Sequence, residues 1–319
     1  MKHFISVQDV EDLKTLVDSA LSYKATPFKD QSLGKNKTLG MIFFNPSLRT
    51  RVSTQLAAKN LGMEVIVLNT SQDGWMLEMQ DGVVMNGNNP EHVKEAAAVM
   101  GQYFDIVGLR SFPSLKNKED DYAELTINQF RKYSGKPVLS LESATLHPLQ
   151  SLADVITIRE QFKEKRKPKV VLTWAPHVKA LPQAVPNSFA QWMNNWDEVD
   201  FVIAHPEGYE LDKAFSQSAT IEHDQAIALK DADFVYVKNW STVDPYGKIL
   251  NSNPDWMITN KKLKATNNAK VMHCLPVRRN VVIADEVLDS SSSIVIQQAS
   301  NRIWAAQAVL SNLLKSSQA

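Results

Sequence analysis

The chain has 319 residues, 44% of them hydrophobic, and carries 35 Lys plus Arg against 35 Asp plus Glu. Such length and apolar content support a sizeable core divided between two domains, while the balanced charge excludes a bulk attraction to nucleic acid or to an anionic membrane, so any anion must be held locally. A single cysteine, Cys274, excludes an internal disulfide and a cysteine-cluster zinc site.

The chain opens with MKHFISVQDVEDLK, which has neither a signal-peptide apolar stretch nor an Arg-rich transit pattern, and no later window approaches a membrane span. The expectation is a soluble, cytoplasmic protein with no membrane partner. Apolar, β-branched runs then recur at TLGMIFF (38–44), EVIVL (64–68), DIVGL (105–109), PVLSL (137–141), KVVLTW (169–174), DFVIA (200–204), DFVYV (233–237), KVMHC (270–274) and SIVIQQ (293–298). Their lack of alternation predicts strands buried on both faces, as strands covered by helices are.

Helical periodicity lies between these runs. Residues 47–61 place Leu48, Val52 and Leu56 four apart and stop at Gly62, where a C-terminal glycine belongs. Residues 152–165 carry Leu152, Val155, Ile156 and Phe162 on one stripe before the charged KEKRKPK, and residues 301–314 place Ile303, Ala306, Leu310, Leu313 and Leu314 on one face. Alternating strand and helix predicts an α/β fold: two domains, each with a mainly parallel sheet flanked by helices, joined by long helices. The expected boundaries are 1–150, 151–300, and a C-terminal helix 301–319 packing back on the N-terminal domain.

The stretch FFNPSLRTR sets Ser47, Arg49, Thr50 and Arg51 directly after an apolar run. A helix beginning there offers free amides and a positive dipole end, with Arg49 and Thr50 in its first turn, which makes an anion site without a glycine-rich loop. Arg49 and Arg51 are two apart and cannot share a helix face, so Arg49 is the expected ligand. An isolated S-x-R-T-R would read as an N-cap followed by surface charge. Two further polar segments change that weighting: HPLQSLAD (147–154) follows PVLSLESATL, and HCLPVRRN (273–280) follows KVM. Parallel α/β sheets bind ligands beyond the carboxyl ends of their strands, so the three segments are expected to serve one site.

In this order and spacing, SLRTR, HPLQ followed by SLAD, and HCLP resemble the signatures of the aspartate/ornithine carbamoyltransferase family along nearly the whole chain. HCLP is similar to the ornithine side of that family. The resemblance implies that 1–150 binds carbamoyl phosphate and 151–300 binds the amine acceptor. Its phosphate would lie on Ser47, Leu48, Arg49 and Thr50, with Arg110 as a second arm and Arg302, expected to open the last helix, near the carbamoyl end. His147, Thr50 and Arg302 would donate to the carbamoyl oxygen, with Pro148 and Leu149 beside them, and Gln150 would accept from the carbamoyl amide. Donors aimed at developing charge supply the largest catalytic contribution in such a reaction, and neither a covalent intermediate, a metal nor a cofactor is required. Cys274 and Leu275 would line the amine end; a buried, inert Cys274 is the competing reading.

The chain departs from ornithine enzymes in having no S-M-G loop; the corresponding region is VYVKNWSTVDPYGK (235–248), and HCLP continues as VRRN. Both features resemble the branch that carbamylates N-acylated ornithine, whose α-amino group is already blocked. Acceptor residues by this likeness are Glu142, His177, Lys238 and Arg278 together with Cys274 and Leu275. Trp75 and the loop 86–90 would come from a neighbouring subunit, in a homotrimer with shared active sites. Members that take N-acetylornithine carry an acidic residue where this chain has Pro90. A carboxylate there would oppose a succinyl carboxylate by about 1–4 kcal/mol at surface dielectrics, so proline favours N-succinyl-L-ornithine, with N-acetyl-L-ornithine or ornithine as alternatives.

Readings from other classes fare worse. No G-x-G-x-x-G or G-x-x-x-x-G-K-[ST] loop supports a nucleotide-binding enzyme. A non-catalytic anion-binding homologue predicts damage to Arg49, Thr50, His147, Gln150, Cys274 or Arg302, and all are in place. His147, His177, His205, His223 and His273 lie in separate segments without H-x-x-x-H spacing, which speaks against a metalloenzyme.

Overall fold

The computed structural model describes residues 1–317. Over these residues the chain forms two compact units. Among the described residues the first comprises Met1–Ser114, Glu119–Leu149 and 302–317; the second comprises Leu115–Lys118 and Gln150–Asn301. Strands are β1 (Thr38–Phe43), β2 (Glu64–Asn69), β3 (Leu77–Glu78), β4 (Glu91–His92), β5 (Ile106–Arg110) and β6 (Val138–Glu142) in the first unit. The second holds β7 (Lys169–Trp174), β8 (Asp200–Ala204), β9 (Thr220–Glu222), β10 (Phe234–Lys238) and β11 (Lys270–Met272).

The first unit's main sheet is parallel, in the order β2-β1-β5-β6. Connections run outward in opposite senses from β1 and β5, so the strand order reverses between them, and that is where a parallel sheet opens a crevice at its carboxyl edge. A bulge after Leu109 pairs Arg110 with Glu142, skipping Leu141. Bulges re-aim side chains, and this one sets a guanidinium opposite a carboxylate at that edge. Beneath it Ile42, Val107, Leu109, Phe104, Phe130 and Val138 form a buried core. Gly40 is required in β1 because a Cβ there would fall 2.1 Å from the Phe104 ring.

The second unit's sheet is also parallel, ordered β11-β10-β7-β8-β9, with its reversal between β7 and β10. Val171, Val235, Val237, Val271 and Ile283 lie in its core. No helix among the described residues is long and apolar enough to cross a membrane.

The α/β architecture and both parallel sheets match the sequence reading, and several element limits do not. The helix expected from residue 47 runs Arg49–Asn60, with Leu48 at its N-cap and Gly62 in the left-handed region just past its end (φ 80°). The helix expected over 152–165 runs Pro148–Gln161, starting within HPLQ and ending before the basic run. SIVIQQ is not a strand: Ser293 makes one bridge to Val271, and the chain then enters the helix Val295–Ser316. Arg302 therefore lies two turns inside that helix and does not open it. β2 is an edge strand, half-exposed along its length, with Ile66 47% exposed rather than covered on both faces.

Candidate active site

In the first unit, residues from four elements meet at the carboxyl edge of β1 and β5. The helix Arg49–Asn60 starts here, and among the described residues no side chain caps it, so its first amides are left for a ligand. Ser47 Oγ accepts from Arg110 Nη1 at 2.7 Å, and the same nitrogen reaches Thr50 Oγ1 at 3.1 Å. Arg302 Nη2 also donates to Thr50 Oγ1, so this buried hydroxyl sits between two guanidinium groups. Glu142 answers Arg110 at 3.1 Å, both side chains being buried. Burial pushes Arg110 below its ordinary range, Glu142 opposes that shift, and the nearby charge of Arg49 adds to it. Arg51 is committed elsewhere: it donates to Asn69 at 3.3 Å and lies over the Phe43 ring. Arg49 Nε is buried with no hydrogen-bond partner among the described residues.

His147 closes this cluster. Its Nε2 lies 3.5 Å from the Glu142 carboxylate and 3.4 Å from Arg302 Nη2. Burial, reinforced by the positive charges of Arg302 and Arg110, holds the imidazole well below its ordinary pKa, so it is neutral at physiological pH. The guanidinium groups of Arg110 and Arg302 meet at Thr50, with Arg49 near Arg110 and Glu142 among them, so donors suited to an anion converge here.

In the second unit, Gln150 Nε2 donates to Asp154 Oδ1 at 2.8 Å, and Gln298 Nε2 donates to the same oxygen at 2.7 Å. A carboxylate only accepts, so it fixes the Gln150 amide with Oε1 outward; that oxygen is buried and has no partner among the described residues. Gln298 Oε1 in turn takes the His273 amide at 2.8 Å, and Leu275 N–H reaches His273 Nδ1 at 2.8 Å, with Leu275 itself at φ 58°. Cys274 is buried. Burial, then the neighbouring Asp154 and Cys274, raise the Tyr236 hydroxyl well above its usual range. Lys238, the last residue of β10, is buried and pairs in register with Trp174, the last of β7, so it stands at the second unit's strand reversal. His177 follows β7; its Nε2 accepts from Arg278 Nε at 3.2 Å. Burial lowers His177, a bond to the Lys179 backbone opposes that, and the charges of Lys238 and Arg278 lower it further, so a neutral imidazole stands near two cations.

Trp75 is 56% exposed and donates to Glu91 at 2.8 Å. Leu77 pairs with Glu91, so Trp75 and the exposed Pro90 stand together at the base of one loop in the first unit. Glu142, assigned by resemblance to the acceptor, lies on β6 within the guanidinium cluster, and Leu48 is 72% exposed.

Residues 2–160 match the model of the aspartate/ornithine carbamoyltransferase carbamoyl-P binding domain, and residues 184–313 match that family's Asp/Orn binding domain. The chain belongs to the aspartate/ornithine carbamoyltransferase family. It is 55% identical over 317 residues to the N-succinylornithine carbamoyltransferase of Bacteroides fragilis (strain 638R), covering 99% of each chain. Among solved structures it is similar to acetylornithine transcarbamylase complexed with acetylcitrulline, with TM-score 0.93, 34% identity, and 98% and 99% of the two chains covered. A variant of N-acetyl-L-ornithine transcarbamylase with proline in place of a glutamate, complexed with carbamyl phosphate and N-succinyl-L-norvaline, is similar with TM-score 0.92, 34% identity, and 98% and 100% covered.

Within this carbamoyltransferase, sequence reading missed residues that act through others. Glu124 is the clearest. Its part-buried carboxylate accepts from Ser143 Oγ (2.6 Å), Thr145 N (2.7 Å), Thr145 Oγ1 and Ala144 N (3.2 Å), which shapes the loop that precedes His147. Burial raises its pKa while these donors pull the other way. Asp154 was quoted only as the end of SLAD, yet it orients Gln150. Asn187 is fully buried with neither amide atom partnered among the described residues, a condition that calls for a ligand or an ordered water. Nothing local in the sequence marks Glu124 or Asn187.

Proposed function

We propose that this carbamoyltransferase moves the carbamoyl group of carbamoyl phosphate to the δ-amino group of N-succinyl-L-ornithine, giving N-succinyl-L-citrulline and phosphate in arginine biosynthesis. The observation that carries the reading is the guanidinium cluster around Thr50, whose converging donors suit a phosphate dianion at a helix N-terminus that no side chain caps among the described residues. Ser47, Leu48, Arg49, Thr50 and Arg110 hold the phosphate. His147, Thr50 and Arg302 face the carbamoyl oxygen, with Pro148 and Leu149 placing the turn that follows His147. Gln150 Oε1 accepts from the carbamoyl NH2, an orientation supported by its bond to Asp154.

The δ-amine lone pair attacks the carbamoyl carbon, negative charge collects on the oxygen, and the bond to the phosphate oxygen then breaks, the phosphate leaving with the electron pair and taking up the proton that the attacking nitrogen gives up. A neutral His147 donates to that oxyanion without adding charge to the ground state, so its contribution is concentrated in the transition state. Cys274 and the Leu275 backbone orient the amine, and Glu142 stands by to pair with it. N-succinylornithine carries two carboxylates; Lys238 and Arg278 beside His177 supply two cations for them. The acyl preference is supported by the 55% identical relative and by Pro90, since the proline variant of the acetylornithine enzyme was solved with a succinyl ligand. The exposed Trp75, Met76, Val83, Val84 and Met85 in the first unit support a cytoplasmic homotrimer in which a neighbouring subunit covers this loop and Trp75 and Pro90 complete the site.

A side-by-side carbamylation assay with ornithine, N-acetylornithine and N-succinylornithine tests the reading. The succinyl substrate is expected to give the highest kcat/KM, and Pro90→Glu is expected to shift preference toward the acetyl substrate. An acetyl preference in the wild type overturns the acyl assignment, and carbamoyl phosphate binding without turnover of any acceptor overturns the enzyme.

A further inference from the structure

Outside these clusters, the far edge of the second sheet carries a group of ligating side chains that carbamoyl transfer does not use. β8 and β9 are parallel and pair Ala204 with Glu222, so the next residues, His205 and His223, come side by side although 18 positions apart in sequence. Their rings meet edge to face with centroids 4.9 Å apart. The turn after His205, with Gly208 in the left-handed region (φ 85°), returns Glu210 to the same place.

The hydrogen bonding of the two rings is that of metal-ligating imidazoles. His205 Nδ1 lies 2.8 Å from the Pro206 carbonyl, and His223 Nδ1 lies 3.1 Å from the His205 carbonyl. A carbonyl only accepts, so each ring carries its proton on Nδ1 and presents a lone pair at Nε2, the arrangement by which backbone carbonyls orient histidine ligands. His205 is fully buried, and its Nε2 has no partner among the described residues. Burial lowers its pKa, which keeps that lone pair available. Glu210 and His223 are exposed, and Gly208 N–H engages one Glu210 oxygen at 3.2 Å. The donor atoms of the three residues lie within 4.8 Å of one another. Ligands at about 2.1 Å from a shared ion stand at most about 4.2 Å apart, so the exposed side chains need to close by less than about one ångström.

We propose that His205, His223 and Glu210 form a binding site for a divalent transition cation of the Zn2+ class, with the remaining coordination position open to solvent. Two imidazoles and one carboxylate suit Zn2+ over Mg2+ or Ca2+, which favour oxygen-only shells. The ion staples the ends of β8 and β9 to the turn 206–210 and stabilises the second unit.

The test uses the full chain, stripped with chelator and titrated with Zn2+ alone. The wild type is expected to bind one equivalent and to rise in Tm by a few degrees, about the shift that ligand linkage gives at saturating metal. His223→Ala and Glu210→Gln, both at exposed positions, are expected to weaken Zn2+ binding at least about 10-fold and to lose the Tm rise, with metal-free carbamoyl transfer unchanged. Co2+ in the site should show the visible bands of nitrogen and oxygen ligation without thiolate charge transfer. Absence of stoichiometric binding overturns the proposal. So does wild-type affinity in His223→Ala, or a thiolate band, which would put the ion at Cys274.

Discussion

The charge of Arg49 lies close enough to lower the Arg110 guanidinium, and its buried Nε has no partner among the described residues, so a bound anion would answer both. Arg49→Ala is therefore expected to lower kcat/KM by about 100-fold or more, roughly 3 kcal/mol, the scale of removing one preorganised donor to developing charge. Removing a like charge from beside Arg110 should at the same time leave Tm unchanged or slightly higher. Steady-state kinetics read alongside a thermal melt check both; turnover near wild type removes Arg49 from the anion site. Arg49, Thr50 and His147 were legible in the sequence because each follows an apolar run, and strand ends in parallel sheets are where ligands bind. Glu124 was not legible: its role exists only because the loop 143–145, about twenty residues downstream, folds its amides and hydroxyls onto one carboxylate.

That loop is the element on which His147 depends. Backbone N–H groups and hydroxyls all point at Glu124, so an amide in its place would bring an NH2 against donors and leave at least one buried donor unpaired. Glu124→Gln is expected to cost about 2–3 kcal/mol of stability, the scale of a lost hydrogen bond to a buried charge. It should also lower kcat more than it raises the KM for carbamoyl phosphate, since Ser47, Arg49 and Arg110, which we propose hold the phosphate, are on other elements. Urea melts and saturation kinetics separate the two, and an unchanged kcat would show that the loop does not position His147. At this scale the eight strands from TLGMIFF to KVMHC were readable from unbroken apolar runs. SIVIQQ reads as a strand because its three apolar residues, Ile294 to Ile296, are too short a run for any period to separate strand from the first turn of a buried helix. The strand orders that put Arg110 and Lys238 at their sheets' reversals are written in no local pattern, because order follows from which helix crosses which face.

For the molecule as a whole, the buried histidines set how stability responds to acid. His147 in the first unit and His205 in the second both titrate below the ordinary 6.5, chiefly from burial. Below that pH the unfolded chain takes up protons at these positions and the folded chain does not, so stability falls as pH drops from 6.5 and stops falling only below the depressed folded values. Each histidine contributes up to about 1.4 kcal/mol per pH unit in that window. Glu124, raised by burial, works with the opposite sign, since the folded state holds its proton at a higher pH than the unfolded state does. His3 and His177 are lowered as well, so four groups against one leave a net loss. In metal-free protein the urea midpoint is expected to decline between pH 6.5 and 5.5, and His147→Gln should flatten the decline even though its own stability at pH 7.5 is changed. A midpoint that stays level across this range in the wild type would mean that His147 and His205 accept protons in the folded state as readily as in the unfolded one. It would also mean that the imidazole assigned to the oxyanion takes up its proton near pH 6.5 and is not held neutral below that pH.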